Sequence, residues 1–285
     1  MDWKRHADTW PMADLSRFVL CKPHRWHVQE AGKGKTLILL HGAGGATQSW
    51  RHLFPLLSKS FHVVAIDLPG QGFTQLGARQ RCGLEAMAED IAKLVTAEGW
   101  RPKALVGHSA GAAIALRMAE QMKPAPVVIG INAALAPFEG VSGVLFPILA
   151  KALSVMPMVA DLFAATNANP NAVKRLIDST GSRLPREELV FYQALVSDRT
   201  HVDATLQMMA QWDLDPLLER LPQHPSDCLL IAGENDKTVR PATSQRAASQ
   251  MPHARVINLP DLGHLAHEEN APLVAGHIKA FLDPN

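Results

Sequence analysis

Short apolar runs alternate with amphipathic helical patterns along most of this 285-residue chain. This alternation is typical of a mostly parallel β-sheet whose strands are joined by crossover helices. Two early apolar segments, 17–20 and 26–29, flank Lys22-Pro23-His24 and predict an antiparallel hairpin that opens the sheet. The other predicted strands are 36–40, 63–66, 104–106, 127–131, 229–232 and 256–259. The sequence therefore predicts an α/β fold with eight strands in one sheet.

The alternation is interrupted between Ile131 and Leu229. The patterns in this interval are helical, because apolar residues recur three and four positions apart. We expect a helical cap over the carboxyl edge of the sheet at about residues 134–226. The core then consists of residues 1–133 and 227–285.

One stretch of the expected cap, from Val141 to Ala165, is apolar on nearly every side and carries only Lys151 and Asp161 as charges. A helix of this kind is buried on both faces, or it faces lipid or a large apolar ligand. We therefore expect part of this stretch to line a hydrophobic pocket for an apolar substrate. The same surface would allow peripheral contact with a membrane.

Composition narrows the range of functions. Hydrophobic residues make up 47% of the chain and charged residues 19%, so a large buried core is expected. The net charge of +1, without a concentrated basic face, argues against nucleic acid as a partner. Met1 to Leu20 carries charges throughout, unlike a signal peptide, and Cys21, Cys82 and Cys228 fit neither a disulfide framework nor a zinc site. These features indicate a cytoplasmic protein with reduced thiols.

The segment Gly107-His108-Ser109-Ala110-Gly111 lies between a predicted strand, 104–106, and a predicted helix, 110–119. A serine at such a tight strand-to-helix turn adopts a strained backbone conformation that exposes its hydroxyl. Glycine is needed at positions 107 and 111, since a side chain there would collide with the neighbouring strand or helix. The amides at the start of the helix point toward developing negative charge. The pattern predicts Ser109 as a nucleophile.

The segment His41-Gly42-Ala43-Gly44-Gly45 follows the predicted strand 36–40. Beside a nucleophile turn of this type, the loop supplies one oxyanion-binding amide, and the residue after the nucleophile supplies the other. The predicted donors are Ala110 and Ala43, with Gly44 as the alternative to Ala43. A phosphate-binding loop is disfavoured, because the segment has neither a Walker lysine nor a G-x-G-x-x-G pattern. We expect His41 to hold this loop rather than to transfer protons.

Two further segments offer an acid and a base. Asp236 follows the predicted strand 229–232 and can orient a catalytic imidazole; it is preferred to Glu234 because it lies deeper in its loop. His264 follows a glycine in the loop after the last strand, and His267 is the competing base. The order Ser109, Asp236, His264 is the one expected beside a strand-to-helix nucleophile. We expect His264 to lie about 2.6–3.2 Å from Ser109.

Asp67, in Asp67-Leu68-Pro69-Gly70-Gln71-Gly72, also follows a predicted strand. The segment has the composition of a tight turn. We therefore assign it a structural role and do not count Asp67 among the catalytic residues.

Taken together, these motifs resemble those of the α/β-hydrolase superfamily, from about Arg17 to Phe281. The resemblance implies an α/β-hydrolase fold, with an eight-stranded, mostly parallel sheet flanked by helices and a helical cap insertion. Ser109 excludes the aspartate-nucleophile chemistry of the haloalkane dehalogenases and epoxide hydrolases in that superfamily. Four segments are similar to a narrower family, the hydrolase-like accessory proteins of magnesium chelatase in bacteriochlorophyll synthesis: 41–51, 107–115, 212–218 and 263–269.

The motifs and the resemblance lead to three alternative functions. The first is a serine hydrolase without metal or organic cofactor, in which His264 takes the proton of Ser109 and Asp236 stabilises the imidazolium. Under the narrower resemblance, its substrate is an ester of a tetrapyrrole or a related pigment precursor. The second is a non-catalytic porphyrin-binding accessory protein that contacts magnesium chelatase and carries a vestigial triad. The third is a general carboxylesterase or carbon–carbon bond hydrolase.

Overall fold

The eight predicted strands form one sheet in the computed structural model, which describes residues 1–136 and 169–283. The strand order is β1-β2-β4-β3-β5-β6-β7-β8. Every predicted apolar run lies within a strand, and the strands extend up to two residues beyond the runs. The bounds are β1 Ser16–Cys21, β2 His24–Ala31, β3 Thr36–Leu40, β4 His62–Ile66, β5 Pro102–His108, β6 Val127–Ile131, β7 Cys228–Gly233 and β8 Ala254–Leu259.

Strand direction in this sheet changes only near its first edge. β1 pairs with β2 and β2 with β4 in antiparallel fashion, which confirms the predicted opening hairpin. All other neighbouring strands are parallel. The carboxyl ends of β3, β5, β6, β7 and β8 therefore meet at one edge, where ligands of open parallel sheets bind.

Helices cover both faces of the sheet. Along β3, Ile38 and Leu40 pack into one apolar cluster, and Leu37 and Leu39 pack into another on the opposite face. This two-residue period is the pattern of a strand buried on both sides. The helices are α1 Leu53–Leu57, α2 Leu84–Ala97, α3 Ala110–Gln121, α4 Pro170–Ser179, α5 Leu189–Ser197, α6 Arg199–Ala210, α7 Asp215–Arg220, α8 Pro241–Gln250, α9 Ala266–Glu269 and α10 Ala271–Leu282.

The insertion between β6 and β7 is helical wherever the structure describes it. Residues 169–226 contain α4 to α7 and no strand. The apolar stretch from Val141 to Ala165 lies outside the described residues, and the proposed cap bounds of 134 and 226 stay a prediction. In the ranges 1–136 and 169–283, no helix is long and apolar enough to cross a membrane.

A buried charged network joins the insertion to the core. Arg51, which follows β3, forms ion pairs with Glu268 of α9 and with Glu188, just before α5. The Tyr192 hydroxyl of α5 donates to Glu268 as well. Burial raises the pKa of Glu268 despite the opposing effect of Arg51. Removing one member would leave a buried charge without its partner, a change that typically costs about 3–5 kcal/mol.

Candidate active site

Ser109 occupies a sharp turn between β5 and α3. Its backbone has φ 51° and ψ −117°, a conformation that non-glycine residues rarely adopt and that typically costs about 1–3 kcal/mol. The turn is held in place by backbone hydrogen bonds to the end of β6. The Ser109 N–H donates to the carbonyl of Ile131 at 3.0 Å, and the Ser109 carbonyl accepts from the N–H of Ala134 at 3.1 Å.

The two glycines beside Ser109 are required by close backbone approach. A Cβ atom on Gly107 would lie 2.3 Å from the carbonyl oxygen of Gly111. A Cβ atom on Gly111 would lie 2.1 Å from the carbonyl oxygen of Leu40, at the end of β3. Substitution of Gly107 would therefore push the strand β5 away from α3, and substitution of Gly111 would push α3 away from the end of β3.

The loop after β3 carries the two amides weighed as the second oxyanion donor, those of Ala43 and Gly44. The N–H of Gly44 donates to Gln71 Oε1 at 2.8 Å and is already occupied. The amides of Ala43 and Ala110 have no hydrogen-bond partner among the described residues. Ala110 is also the first residue of α3, where the helix dipole favours negative charge. These contacts support Ala43 over Gly44 as the second oxyanion donor, and the assignment stays a prediction.

His41 anchors the start of the same loop. Its Nδ1–H donates to the carbonyl of Gly42 at 2.8 Å, and its Nε2 accepts from the N–H of Leu68 at 2.9 Å. Both ring nitrogens are thus used in backbone contacts. Burial lowers the pKa of His41, so the ring is neutral near pH 7. These contacts place His41 in the holding role expected from the sequence.

Asp236 lies buried at the end of β7 and carries four hydrogen bonds. Its Oδ1 accepts from the N–H groups of Thr238 and Val239, each at 2.8 Å. Its Oδ2 accepts from His264 Nδ1 at 2.8 Å and from Asn132 Nδ2 at 2.7 Å. The competing acid, Glu234, is exposed. The structure therefore brings Asp236 and His264 together and leaves the His264 Nε2 as the basic nitrogen.

Asn132 is a site residue that the sequence argument missed. It directly follows β6 and is not an acid, so the search for an acid and a base assigned it no role. Its backbone has φ 47°, and its N–H donates to the carbonyl of Ile231 at 2.7 Å. Asparagine tolerates this left-handed conformation better than most residues. The signal available in the sequence was an asparagine at the carboxyl end of a central strand.

His264 is buried near the nucleophile turn. Its carbonyl accepts from Nε2 of His108, the residue that precedes Ser109, at 2.8 Å, and the two rings lie 4.7 Å apart. No hydrogen bond joins Ser109 to His264 within the described chain. The expected contact of about 2.6–3.2 Å thus stays a prediction; such contacts are often long without a substrate.

The competing base, His267, is fully buried and unpaired with Asp236. Its ring lies 4.5 Å from that of His108 and 4.7 Å from that of Trp50. Its Nε2 lies 3.4 Å from Ser49 Oγ. Burial lowers the pKa values of His108 and His267 well below the usual value, which makes both rings neutral packing elements.

Asp67 organises the turn after β4. Its carboxylate accepts from the N–H groups of Thr47 at 2.7 Å and Phe73 at 2.8 Å, and from His27 Nδ1 at 2.7 Å. Burial alone raises the pKa of Asp67, but His27, His41 and the Phe73 amide outweigh it and hold the pKa below its usual value. These contacts give Asp67 the structural role expected for it. Across the described residues, no group of three His, Cys, Asp or Glu side chains could hold a metal ion.

Known proteins show the same architecture and related sequences. The chain is 40% identical to the magnesium-chelatase 30 kDa subunit of Rhodobacter capsulatus, over 99% of this chain and 100% of that protein. It is 28% identical to the pimeloyl-[acyl-carrier protein] methyl ester esterase of Stenotrophomonas maltophilia, over 90% of this chain and 98% of that protein. A solved α/β-hydrolase-fold protein from Burkholderia ambifaria matches with a TM-score of 0.77 and 21% identity, over 94% of this chain and 98% of the other.

The family model agrees with these relatives. It is the model of the alpha/beta hydrolase family, and it matches residues 37–276, from the first residues of β3 into α10. The match spans the turn at Ser109, the loop after β3, and Asp236 and His264 in the loops after β7 and β8. This chain therefore belongs to the alpha/beta hydrolase family.

Proposed function

We propose that this chain is a serine hydrolase that cleaves an ester of a bulky apolar substrate, acting in the cytoplasm beside magnesium chelatase in bacteriochlorophyll synthesis. One observation carries the catalytic part of this proposal. A strained Ser109 directly precedes α3, and an Asp236–His264 pair joined at 2.8 Å lies at the same edge of the sheet. Strain of this kind persists only where the surrounding structure enforces it, and it clusters at active sites.

The first half of the reaction forms an acyl-enzyme. Ser109 Oγ attacks the ester carbonyl carbon while His264 Nε2 takes the hydroxyl proton. Asp236 accepts from His264 Nδ1–H and stabilises the imidazolium. The carbonyl oxygen becomes an oxyanion that accepts hydrogen bonds from the N–H groups of Ala43 and Ala110. The tetrahedral species then expels the alcohol, which leaves with the proton from His264.

The second half releases the acid. Water enters in place of the alcohol, gives a proton to His264 Nε2 and attacks the acyl carbon. The second tetrahedral species returns the proton to Ser109 Oγ and releases the carboxylic acid. Asn132 Nδ2 donates to Asp236 throughout and keeps the carboxylate turned toward His264. The residues supply every proton transfer in this scheme, and the scheme requires no cofactor.

Two observations support an apolar ester as the substrate class. The relative from Stenotrophomonas maltophilia is a methyl ester esterase, and it aligns over nearly its whole length. The expected cap, proposed at residues 134–226 over a core of 1–133 and 227–285, includes the apolar stretch from Val141 to Ala165. Such a stretch suits a flat hydrophobic macrocycle better than a small polar molecule. A tetrapyrrole ester is the substrate we propose.

The identity to a chelatase subunit supports a second candidate. The relative that is 40% identical is named for magnesium chelatase and not for hydrolysis. In this alternative the chain binds porphyrin, contacts magnesium chelatase and makes no use of the triad. A family fold and an intact site do not by themselves fix the reaction.

Labelling of Ser109 with a fluorophosphonate, with and without protoporphyrin or its magnesium form, distinguishes the two candidates. The hydrolase proposal expects labelling of Ser109, turnover of short activated esters and loss of labelling when pigment is bound. Pigment binding is read separately as quenching of tryptophan fluorescence. Folded protein that binds pigment, resists labelling and turns over no ester would support the accessory protein. Labelling and ester turnover without any pigment binding would leave a general esterase.

A further inference from the structure

We propose that His201, on helix α6 of the insertion, is a positioning residue that sets the direction of the Ala43 amide in the oxyanion hole. This inference rests on the proposed hydrolase function. It means that a residue of the insertion helps to position the oxyanion hole of the core. His201 has only 2% of its surface exposed. Its side chain reaches across the junction between insertion and core to the loop after β3.

Both ring nitrogens of His201 bind backbone groups of the core. Its Nδ1 accepts from the N–H of Gly72 at 3.0 Å. Its Nε2 donates to the carbonyl of Gly44 at 3.2 Å. One nitrogen that accepts and one that donates describe a neutral imidazole. Burial lowers the pKa of His201 to about 4, with His41 acting in the same direction, so the ring keeps this form at neutral pH.

The effect of His201 passes through two rigid peptide planes. A peptide group is planar, so its C=O and the following N–H turn together. The Gly44 carbonyl held by His201 belongs to the same plane as the N–H of Gly45. That N–H donates to the carbonyl of Gly42 at 3.0 Å. The Gly42 carbonyl, in turn, shares its plane with the N–H of Ala43, the predicted oxyanion donor.

Other contacts of α6 hold the same loop. Gln71 accepts from the Gly44 N–H through Oε1 and donates through Nε2 to Met208 Sδ of α6 at 3.2 Å. Thr205 of α6 lies so close that a Cβ on Gly44 would be 3.6 Å from its methyl group. Gly44 has φ +76° and, as a glycine, has more conformational freedom to lose than other residues, so these contacts help to fix its conformation. His201 is the member of α6 that holds the Gly44 carbonyl.

The test compares His201→Gln, which keeps an N–H donor near the position of Nε2, with His201→Phe, which keeps the ring volume and removes both hydrogen bonds. A displaced oxyanion donor stabilises the transition state less well, while binding of the ester itself changes little. His201→Phe is therefore expected to lower kcat by about 10- to 100-fold, with KM changed less than about threefold. His201→Gln is expected to recover kcat to within about fivefold of the wild type.

His224 supplies a matched control. It is also a buried histidine of the insertion, and its Nε2 donates to the backbone carbonyl of Leu116 at 3.1 Å, far in the chain from the loop after β3. His224→Phe is expected to reduce thermal stability and to leave the kcat of the folded protein unchanged. An equal loss of kcat in His224→Phe and His201→Phe would overturn the positioning role, as would an equal loss in His201→Gln and His201→Phe.

Hydrogen exchange of the Gly45 amide gives a readout independent of catalysis. His201→Phe is expected to speed that exchange about tenfold or more, because the Gly44–Gly45 plane loses its fixed carbonyl. Unchanged exchange would overturn the inference even if kcat fell. A wild-type protein that turns over no ester would overturn the proposed function, and the exchange measurement would still decide whether His201 orders the loop.

Discussion

Among the described residues, three buried aspartates each bind a histidine: Asp67, Asp90 and Asp236. Two of these pairs accompany a serine, and only the Asp236 pair accompanies a strained one. Asp67 accepts from His27 Nδ1 at 2.7 Å, and Asp236 accepts from His264 Nδ1 at 2.8 Å. The His27 Nε2 even lies 3.0 Å from a serine hydroxyl, that of Ser16. By hydrogen bonds alone, Asp67, His27 and Ser16 form the more complete triad.

The serines differ in their surroundings. Ser16 begins β1 with an ordinary extended backbone, φ −81°, and its hydroxyl also accepts from Gln29 Nε2 at 3.2 Å. Ser109 has φ 51° and directly precedes the twelve-residue helix α3, whose first amide, that of Ala110, has no hydrogen-bond partner among the described residues. The first arrangement satisfies buried polar groups. Under the proposed function, the second places the attacking serine beside donors for a charge that develops only during reaction, which is what catalysis requires.

The serines themselves offer the largest test of this comparison. Ser109→Ala is expected to lower the rate of ester hydrolysis on the order of 10⁴-fold or more, because it removes the attacking oxygen. Ser16→Ala is expected to stay within about twofold of the wild type, because nothing near Ser16 would bind an oxyanion. Initial rates with an activated short ester measure both. Full activity in Ser109→Ala would end the assignment of Ser109 as nucleophile.

Substitution of the two aspartates should have different effects, on kcat for Asp236 and on the free energy of unfolding for Asp67. Asp236→Asn is expected to lower kcat by about 10³-fold or more, since the amide cannot stabilise the imidazolium or fix its tautomer. Asp67→Asn is expected to lower the free energy of unfolding by about 3 kcal/mol, because a buried amide group would face His27 and the Phe73 N–H. Urea unfolding and kcat of the folded fraction are the two measurements. Similar losses of kcat in both variants would erase the distinction between the two regions.

Acid pH should lower the free energy of unfolding through the buried histidines, most of which lie around Ser109. Burial lowers the pKa of six histidines, of which the first four lie around the Ser109 edge: His41, His108, His201, His267, His24 and His224. These groups stay neutral in the folded protein while the unfolded chain takes up protons below its pKa of about 6.5.

Folding stability is therefore full above about pH 6.5 and falls as pH decreases toward the folded pKa values, by up to about 1.4 kcal/mol per pH unit for each histidine. Urea unfolding at pH 7.5, 6.5 and 5.5 measures the slope. His201→Gln removes one of these histidines and should reduce that slope by up to about 1.4 kcal/mol per pH unit. A stability that does not change between pH 7.5 and 5.5 would contradict the buried, neutral state of these rings.

The smallest expected effect concerns backbone strain. Ser109→Gly should raise the free energy of unfolding by about 1 kcal/mol, because glycine adopts a positive φ without steric cost. Ser16→Gly should instead lower it by about 0.5–1 kcal/mol, since an extended strand residue gains flexibility in the unfolded chain. Thermal unfolding of the two variants should thus change in opposite directions. A destabilised Ser109→Gly would show that the turn stores no strain.

Most of the fold could be predicted from the sequence because the central strands are parallel and buried. These strands are continuous apolar runs, and glycines mark the turn around Ser109, so residue type alone locates β3, β5 and this turn. The roles of Asn132 and His201 could not be predicted in the same way. Asn132 acts through a side chain beside an acid 104 positions away, and His201 acts through a carbonyl 157 positions away. Contacts between residues so far apart in the chain depend on how the elements pack, and the hydrophobic periodicity of the sequence does not predict them.

The strained conformation of Ser109 also bears on how such a chain would change under natural selection. If the hydroxyl went unused, the expected gain in stability of Ser109→Gly means that stability would not hold serine at this position. An idle nucleophile of this kind could therefore be replaced by glycine without loss of stability. Under the proposed function, serine at φ 51° is kept for its oxygen atom. A carrier that had retained only the shape of a hydrolase would have no such reason to keep it.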